Sequence, residues 1–217
     1  ILLALAEREK SGLGQYLDMT LYDCAVSFMH PHIPNYLYSG EIPGPTGNAH
    51  PNISPYDTFR TKTVDIFIGA GNNRAFAKLC AEVARQDLLA DPRFANNSDR
   101  VKNRDVLKVE LETALMRIDG AELADTLARA GLASGPIHNT AQVVAHPHTQ
   151  HRQMIVEKEW YKALGSPIKL SRTPASLRSL PPKFGEHSRE VLTEFGFEDR
   201  EVDALLASGV VPTVRHT

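Results

Sequence analysis

Residues 47–80 read GNAHPNISPYDTFRTKTVDIFIGAGNNRAFAKLC, and the fold turns on this stretch. It opens as a loop of Gly, Asn, Pro and His, residue types that accept turn geometry and let a backbone approach a ligand closely. Tyr56 to Thr61 then reads as a strand. Asp65 to Gly69 reads as a second, with Ile66 and Ile68 on one face and Phe67 on the other. Lys62-Thr63-Val64 is the turn between them, although it lacks the glycine that tight hairpins favour. Gly71-Asn72-Asn73 is a helix entry, and Phe76, Leu79, Cys80 and Val83 recur behind it at helical spacing.

Upstream, residues 1–10 (ILLALAEREK) predict a helix with Leu2, Leu3 and Leu5 buried, stopped by Ser11-Gly12-Leu13-Gly14. No capping residue precedes this helix, so the chain is expected to be the C-terminal part of a longer polypeptide. Gln15 to Met19 alternates like a short strand. Thr20 is expected to cap a helix from Leu21 to about His30, with Asp23 as its acidic partner. Pro31 and Pro34 are expected to end or kink it, and Tyr36 to Pro45 to be a linker. Downstream, Ser98 or Asp99 is expected to cap one helix from Val101 to Met116. A second follows from Ala121 to Arg129, ended by Gly131. Residues 132–137 (LASGPI) read as extended, and Thr140 as the cap of a helix ending at His146-Pro147. Met154 and Val156 give residues 150–160 a strand pattern, and residues 167–170 a second extended piece. Residues 173–182 form a Pro-rich arm, and helices are predicted over 187–195 and 199–207.

The net charge of −2 over 217 residues gives no general attraction to nucleic acid or an anionic membrane. No apolar run approaches the ~20 residues a membrane span requires. Cys24 and Cys80 have no metal or redox spacing and read as buried reduced thiols, so a cytoplasmic setting is expected. Helix-borne metal ligands are usually spaced by three or four; in His146, His148 and His151 a proline separates the first two and no Cys or acidic cluster accompanies them, His30 and His32 flank Pro31, and no metal site is assigned. Gly69-Ala70-Gly71 lacks the further glycines of a nucleotide fingerprint and reads as a turn. Arg60, Lys62 and Arg74 could meet a carboxylate, but scattered surface bases are the ordinary reading. Asn48 and His50 are the more interesting pair, in a small, polar loop able to come close to a ligand, although composition alone reads the loop as a bare linker.

The pieces SGLGQYLDMTLYDCAVS, GNAHPNISPYDTFRT, IGAGNNRAFAKLC, LLADPRFANNSDRVKNRDVL, AGLASGPIHNTAQVVAHPHTQHRQM, GSPIKLSRTP and PPKFGEHSREVLTEFGF occur in the order found in the class III CoA-transferase family. The chain closely resembles that family over essentially its whole length. The family includes formyl-CoA transferase, carnitine and bile-acid-inducible CoA transferases and α-methylacyl-CoA racemase.

The resemblance implies an α+β fold. Residues 53–145 would form a small α+β domain with antiparallel strands and helices. Residues 1–52 would be a helix and outgoing linker of a large α/β domain, and 146–217 the return arm. An interlocked homodimer is implied for the full-length protein. Acyl-CoA and a carboxylic acid are the implied substrates, with coenzyme A bound only as the substrate thioester and no tightly held cofactor. The family's nucleophilic aspartate would lie upstream of Ile1, so no catalytic residue is assigned here. Gly47, Asn48, Ala49 and His50 match the loop that closes over the active site in formyl-CoA transferase and are the expected substrate-lining residues. That enzyme's glycine run is replaced here by His50-Pro51-Asn52-Ile53, which implies a stiffer wall than a glycine lid. The family's usual Asp-Gly turn is Thr63-Val64 here. The racemase branch tends to carry Glu near Asn73, and its absence favours the transferase. The isolated fragment would serve only as a dimerisation and lid module.

Overall fold

The computed structural model describes residues 1–213, which divide into two compact units, 1–137 and 138–213. The first unit begins with helices α1 (Leu2–Ser11), α2 (Leu21–Phe28) and α3 (His32–Ser39). Thr20 caps α2 as its sequence predicts, its hydroxyl accepting from the Asp23 amide at 3.0 Å. Four expectations fail in this region. Residues 36–39, expected to begin a linker, are the last turn of α3, which ends at Gly40 in the left-handed conformation. Leu2 and Leu3 are more than four-fifths exposed, because no described part of the chain packs on that face of α1. Residues 15–19 form no strand; an isolated extended segment has no neighbour to take its amides and carbonyls. Pro34 does not end a helix. It sits in the first turn of α3, where its missing N–H would have had no intrahelical partner.

Strands β1 (Tyr56–Phe59) and β2 (Ile66–Gly69) pair antiparallel, Phe59 opposite Ile66. Ile66 and Ile68 are fully buried, and Phe67 points the other way to meet the Tyr56 ring edge-on. Threonines replace the missing turn glycine. The Thr61 hydroxyl donates to the Val64 carbonyl at 2.6 Å, and the Thr63 hydroxyl accepts from the Gly120 amide at 3.0 Å. A Cβ on Gly120 would collide with Thr61 Oγ1 and the Val64 carbonyl.

Asn72 caps α4 (Asn73–Glu82) through the Ala75 amide. A short α5 (Asp87–Ala90) and a 3-10 turn (Pro92–Phe94) follow. The helix expected from Val101 to Met116 is in fact two. Asn96, rather than Ser98 or Asp99, caps α6 (Asn97–Lys102), and α7 (Arg104–Leu115) starts afresh after Asn103. Asn96 wins because its carboxamide is placed to accept from the Asp99 amide. Helix α8 (Gly120–Arg129) is capped by Asp119, and β3 (Ala133–Pro136) pairs antiparallel with β2, making β2 the central strand. The extended reading of LASGPI thus becomes a sheet edge.

The core lies between this sheet and α4, α7 and α8. Ile66 and Ile68 pack with Phe76, Leu79, Leu111 and Leu127. Cys80 belongs to the same cluster; burial, reinforced by Asp87, pushes its thiol up to about 11, so it packs as a neutral apolar group. Cys24 is only half-buried, and both cysteines are free.

In the second unit, Asn139, one residue before the expected Thr140, caps α9 (Thr140–Ala145) in a reciprocal box with Gln142. His146 caps α10 (Pro147–His151). The strand pattern of 150–160 resolves into β4 (Ile155–Lys158), which pairs with an unforeseen β5 (Tyr161–Leu164) across the two-residue turn Glu159-Trp160. Residues 167–170 pair with no described strand. Helices α11 (Ser188–Glu194) and α12 (Asp199–Ala207) are joined by an Arg189–Asp203 ion pair, and Val202 is buried while Leu205 is half-buried.

Gly120→Ala is expected to destabilise the protein by about 1–3 kcal/mol through overpacking, read as a lowered urea midpoint. A pH effect is also expected. Hydrogen bonds from the Arg85 and Arg93 side chains hold the Asp87 and Asp91 carboxyls below their ordinary range, and the Glu122 amide does the same for Asp119. Carboxyls held lower in the folded chain add stability above their unfolded value of about 3.9, and that stability is lost as pH falls through the folded values. Midpoints should be flat near neutrality and fall below about pH 4, less steeply in Asp119→Asn.

Candidate active-site wall

The loop of residues 47–54 is shaped by its own short polar groups and then held by side chains of α6 and α7. Gly47 takes a positive φ of 61°, and the Ala49 amide returns to the Thr46 carbonyl at 3.1 Å. The His50 amide donates to the Tyr56 carbonyl at 3.0 Å, tying the loop to the start of β1. His50 Nδ1 accepts from the Asn52 amide at 3.1 Å, which leaves its ring proton on Nε2 in the neutral form. Asn48 donates to the Thr58 hydroxyl at 3.2 Å. Asn52 and Asn35 exchange two carboxamide hydrogen bonds of 2.8 and 3.1 Å, fastening α3 to the loop.

Asn97 and Arg100 lie three apart on one face of α6, and Arg104 opens α7; all three side chains reach the loop. Asn97 donates to the Asn52 carbonyl (2.8 Å) and accepts from the Ser54 amide (3.2 Å). Arg100 is fully buried; its Nε donates to the Ser54 carbonyl (2.8 Å), its Nη1 to the Phe94 carbonyl (3.1 Å), and its plane lies 4.6 Å from the Phe76 ring centroid. Burial pulls its pKa below the ordinary value, yet a guanidinium stays charged in proteins. Arg104 donates to the carbonyls of His50 (3.0 Å), Pro51 (2.7 Å) and Val101 (3.2 Å). The loop backbone is therefore gripped at residues 50, 51, 52 and 54 by three side chains.

Between this loop and α7 lies a cavity of about 400 Å³. Ala49, Ser54 and Pro55 contribute from the loop, Asp57 and Phe59 from β1, and Arg104, Leu107 and Lys108 from α7. Lys108 and Asp57 form an ion pair at 2.6 Å, and Asp57 also accepts from the Thr58 amide at 2.7 Å. Lys108 lies 5.5 Å from the Phe59 ring centroid. The Arg60 amide is taken by Glu112 at 3.1 Å, so carboxylates cover amides along the free edge of β1.

Of the four expected substrate-lining residues, only Ala49 lines the cavity. Gly47, Asn48 and His50 shape the loop beside it. Arg60, Lys62 and Arg74 do not line it either; its basic groups are Arg104 and Lys108, which the sequence reading passed over. Their spacing of four from Arg104 to Lys108, and of three from Arg104 to Leu107, was the available signal. Among the described residues no group of three or more His, Cys, Asp or Glu side chains comes together as a metal site.

Arg100→Lys is expected to destabilise the protein by about 2–5 kcal/mol. A lysine cannot reach both carbonyls with one planar fork, and a stranded buried acceptor costs about 1–3 kcal/mol. Chemical denaturation measures this directly.

Comparison with known proteins bears on what this wall belongs to. The chain is 32% identical over 193 residues to the acetyl-CoA:oxalate CoA-transferase of Acetobacter aceti, covering 88% of this chain and 50% of that protein. It is 33% identical over 204 residues to the succinyl-CoA:mesaconate CoA-transferase of Haloarcula marismortui, covering 91% and 51%. The solved structure of a CAIB/BAIF family protein from Brucella suis superposes with a TM-score of 0.71 at 37% identity, covering 89% of this chain and 51% of that one. The chain thus spans about half the length of the curated relatives it matches. The model of CoA-transferase family III matches residues 1–188, and with that match the chain belongs to CoA-transferase family III.

Proposed function

We propose that the whole protein moves coenzyme A between two carboxylic acids through an aspartyl-CoA thioester. The observation that carries this reading is the family match over residues 1–188. The two named relatives are transferases to oxalate and mesaconate, so a dicarboxylic acid is the proposed acceptor class. The nucleophile is placed in the part of the relatives' length that this chain does not span. Its carboxylate attacks the acyl-CoA carbonyl, the C–S bond breaks, and the CoA thiolate leaves a mixed anhydride. The thiolate then attacks the aspartyl carbonyl and releases the first acid. The second acid attacks the aspartyl-CoA thioester, and the freed thiolate takes its acyl group from the new anhydride, restoring the aspartate. Splitting the exchange in this way replaces one difficult transfer by simple acyl-transfer steps.

In this reading residues 47–50 help wall the acyl pocket and supply no catalytic group. Residues 53–145 act as a small domain, with 1–52 and 146–217 belonging to a large one, in an interlocked, cytoplasmic homodimer. The exposed apolar side chains of Leu2, Leu3, Leu21 and Phe28 support burial of the 1–52 region against further protein. The 217-residue chain alone would be inactive. An α-methylacyl-CoA racemase is the weaker alternative. The turn before α4 carries the neutral Asn72, engaged as a cap, and Asn73, where an acid would be expected.

The test is exchange of labelled CoA between two acids by the full-length protein, with borohydride or hydroxylamine trapping during turnover. An aspartyl adduct is expected. Exchange without any adduct would contradict the covalent route, and α-proton exchange without an acceptor acid would replace the transferase by the racemase.

A further inference from the structure

We propose that the cavity between the 47–54 loop and α7 is a carboxylate subsite, in which Arg104 pairs with the second carboxylate of a dicarboxylic acid. The inference rests on the reading of the protein as one that exchanges CoA between acids, and it assigns part of that acid's recognition to this chain.

Arg104 carries five N–H donors. Three are used on the Val101, His50 and Pro51 carbonyls, leaving one on each terminal nitrogen. Its charge is matched by no carboxylate at ion-pair distance among the described residues, in contrast to Arg85, Arg93 and Arg189. Lys108, the other cation in the cavity, is already neutralised by Asp57. Asp57 in turn has both oxygens engaged, one on the Thr58 amide and one on Lys108. Asp105, which also lines the cavity, is the opposing charge; it is exposed, where water and salt screen it, and it makes no ion pair with Arg104. The cavity therefore holds one half-buried arginine with two free donors and no carboxylate partner, and a carboxylate is the ligand whose geometry fits such a fork.

The rest of the cavity suits the body of a small acid. Pro55, Phe59 and Leu107 present apolar surface, and about 400 Å³ lies at the small end of ligand sites. The carbonyl contacts of Arg104 hold its guanidinium in place before any ligand arrives, so little side-chain ordering remains to be done on binding.

The experiment compares wild type, Arg104→Gln and Asn97→Ala in the full-length protein. Binding of succinate, glutarate and butyrate is titrated calorimetrically without CoA, and the KM of each acid is measured in CoA exchange. Arg104→Gln is expected to weaken succinate or glutarate about 10–100-fold and to leave butyrate nearly unchanged. Asn97→Ala loosens the same loop while keeping the charge, and should not alter the preference for two carboxylates over one. Equal losses for mono- and dicarboxylates in Arg104→Gln would make Arg104 a loop clamp only and overturn the proposal, as would no loss at all. The calorimetric arm needs no turnover. Loss of dicarboxylate binding in a protein that fails to exchange CoA would uphold the subsite and sink the transferase reading instead.

Discussion

A single buried cation sets the terms for the first unit. Arg100 is fully enclosed, has no carboxylate partner among the described residues, and leaves Nη2 without an acceptor. Removing such a charge from water is expensive unless dipoles replace the lost hydration. The replacements are the Ser54 and Phe94 carbonyls and the face of Phe76. Each belongs to a different segment: the loop before β1, the 3-10 turn, and α4. If the loop moved away, the guanidinium would lose its shortest hydrogen bond inside the protein. The loop is thus bound by the cost of stranding a charge as well as by the contacts it makes.

That constraint spreads along α6 and into α7. Asn97 stands one turn before Arg100 and Arg104 one turn after, and both reach the same loop. Further along α7, Leu107 and Leu111 enter the core, Lys108 pairs with Asp57 beside the cavity, and Glu112 takes the Arg60 amide. The periodicity that buries α7 in the core beside β1 therefore also places two cations at the cavity and guards the edge of β1. Core packing and the shape of the candidate site are two consequences of one register, so a change in either should be felt in the other.

Much of the fold was legible in residues 47–80. The alternation of Ile66, Phe67 and Ile68 gave β2 its faces, and the spacing of Phe76, Leu79, Cys80 and Val83 gave α4 its buried side. Thr20 announced itself as a cap. Elsewhere the choice lay among neighbours of similar chemistry. Asn96 caps where Ser98 or Asp99 was expected and Asn139 where Thr140 was, because hydrogen-bond geometry, invisible in composition, selects among cap-competent residues. The hairpin tip could not be read from its missing glycine, since Thr61 and Thr63 hold it through hydroxyls to Val64 and Gly120, the latter 57 residues away. For the site, composition made the loop look like an ordinary linker and only the family resemblance singled it out; its clamps were not read at all. Asn97, Arg100 and Arg104 look like an ordinary solvated face until the loop is folded against them. The burial expected of Leu2 and Leu3 is not met, because no described part of the chain packs on that face of α1.

Whether the 47–54 loop is a fixed wall is best decided by hydrogen exchange at the His50 and Ser54 amides in the full-length protein without substrate. These amides are bonded to the Tyr56 carbonyl and to Asn97, and they should exchange as slowly as the amides of β2, with little change when acid or CoA is added. Exchange near the rate of an unstructured peptide, with protection appearing only when substrate binds, would show a lid and contradict this account.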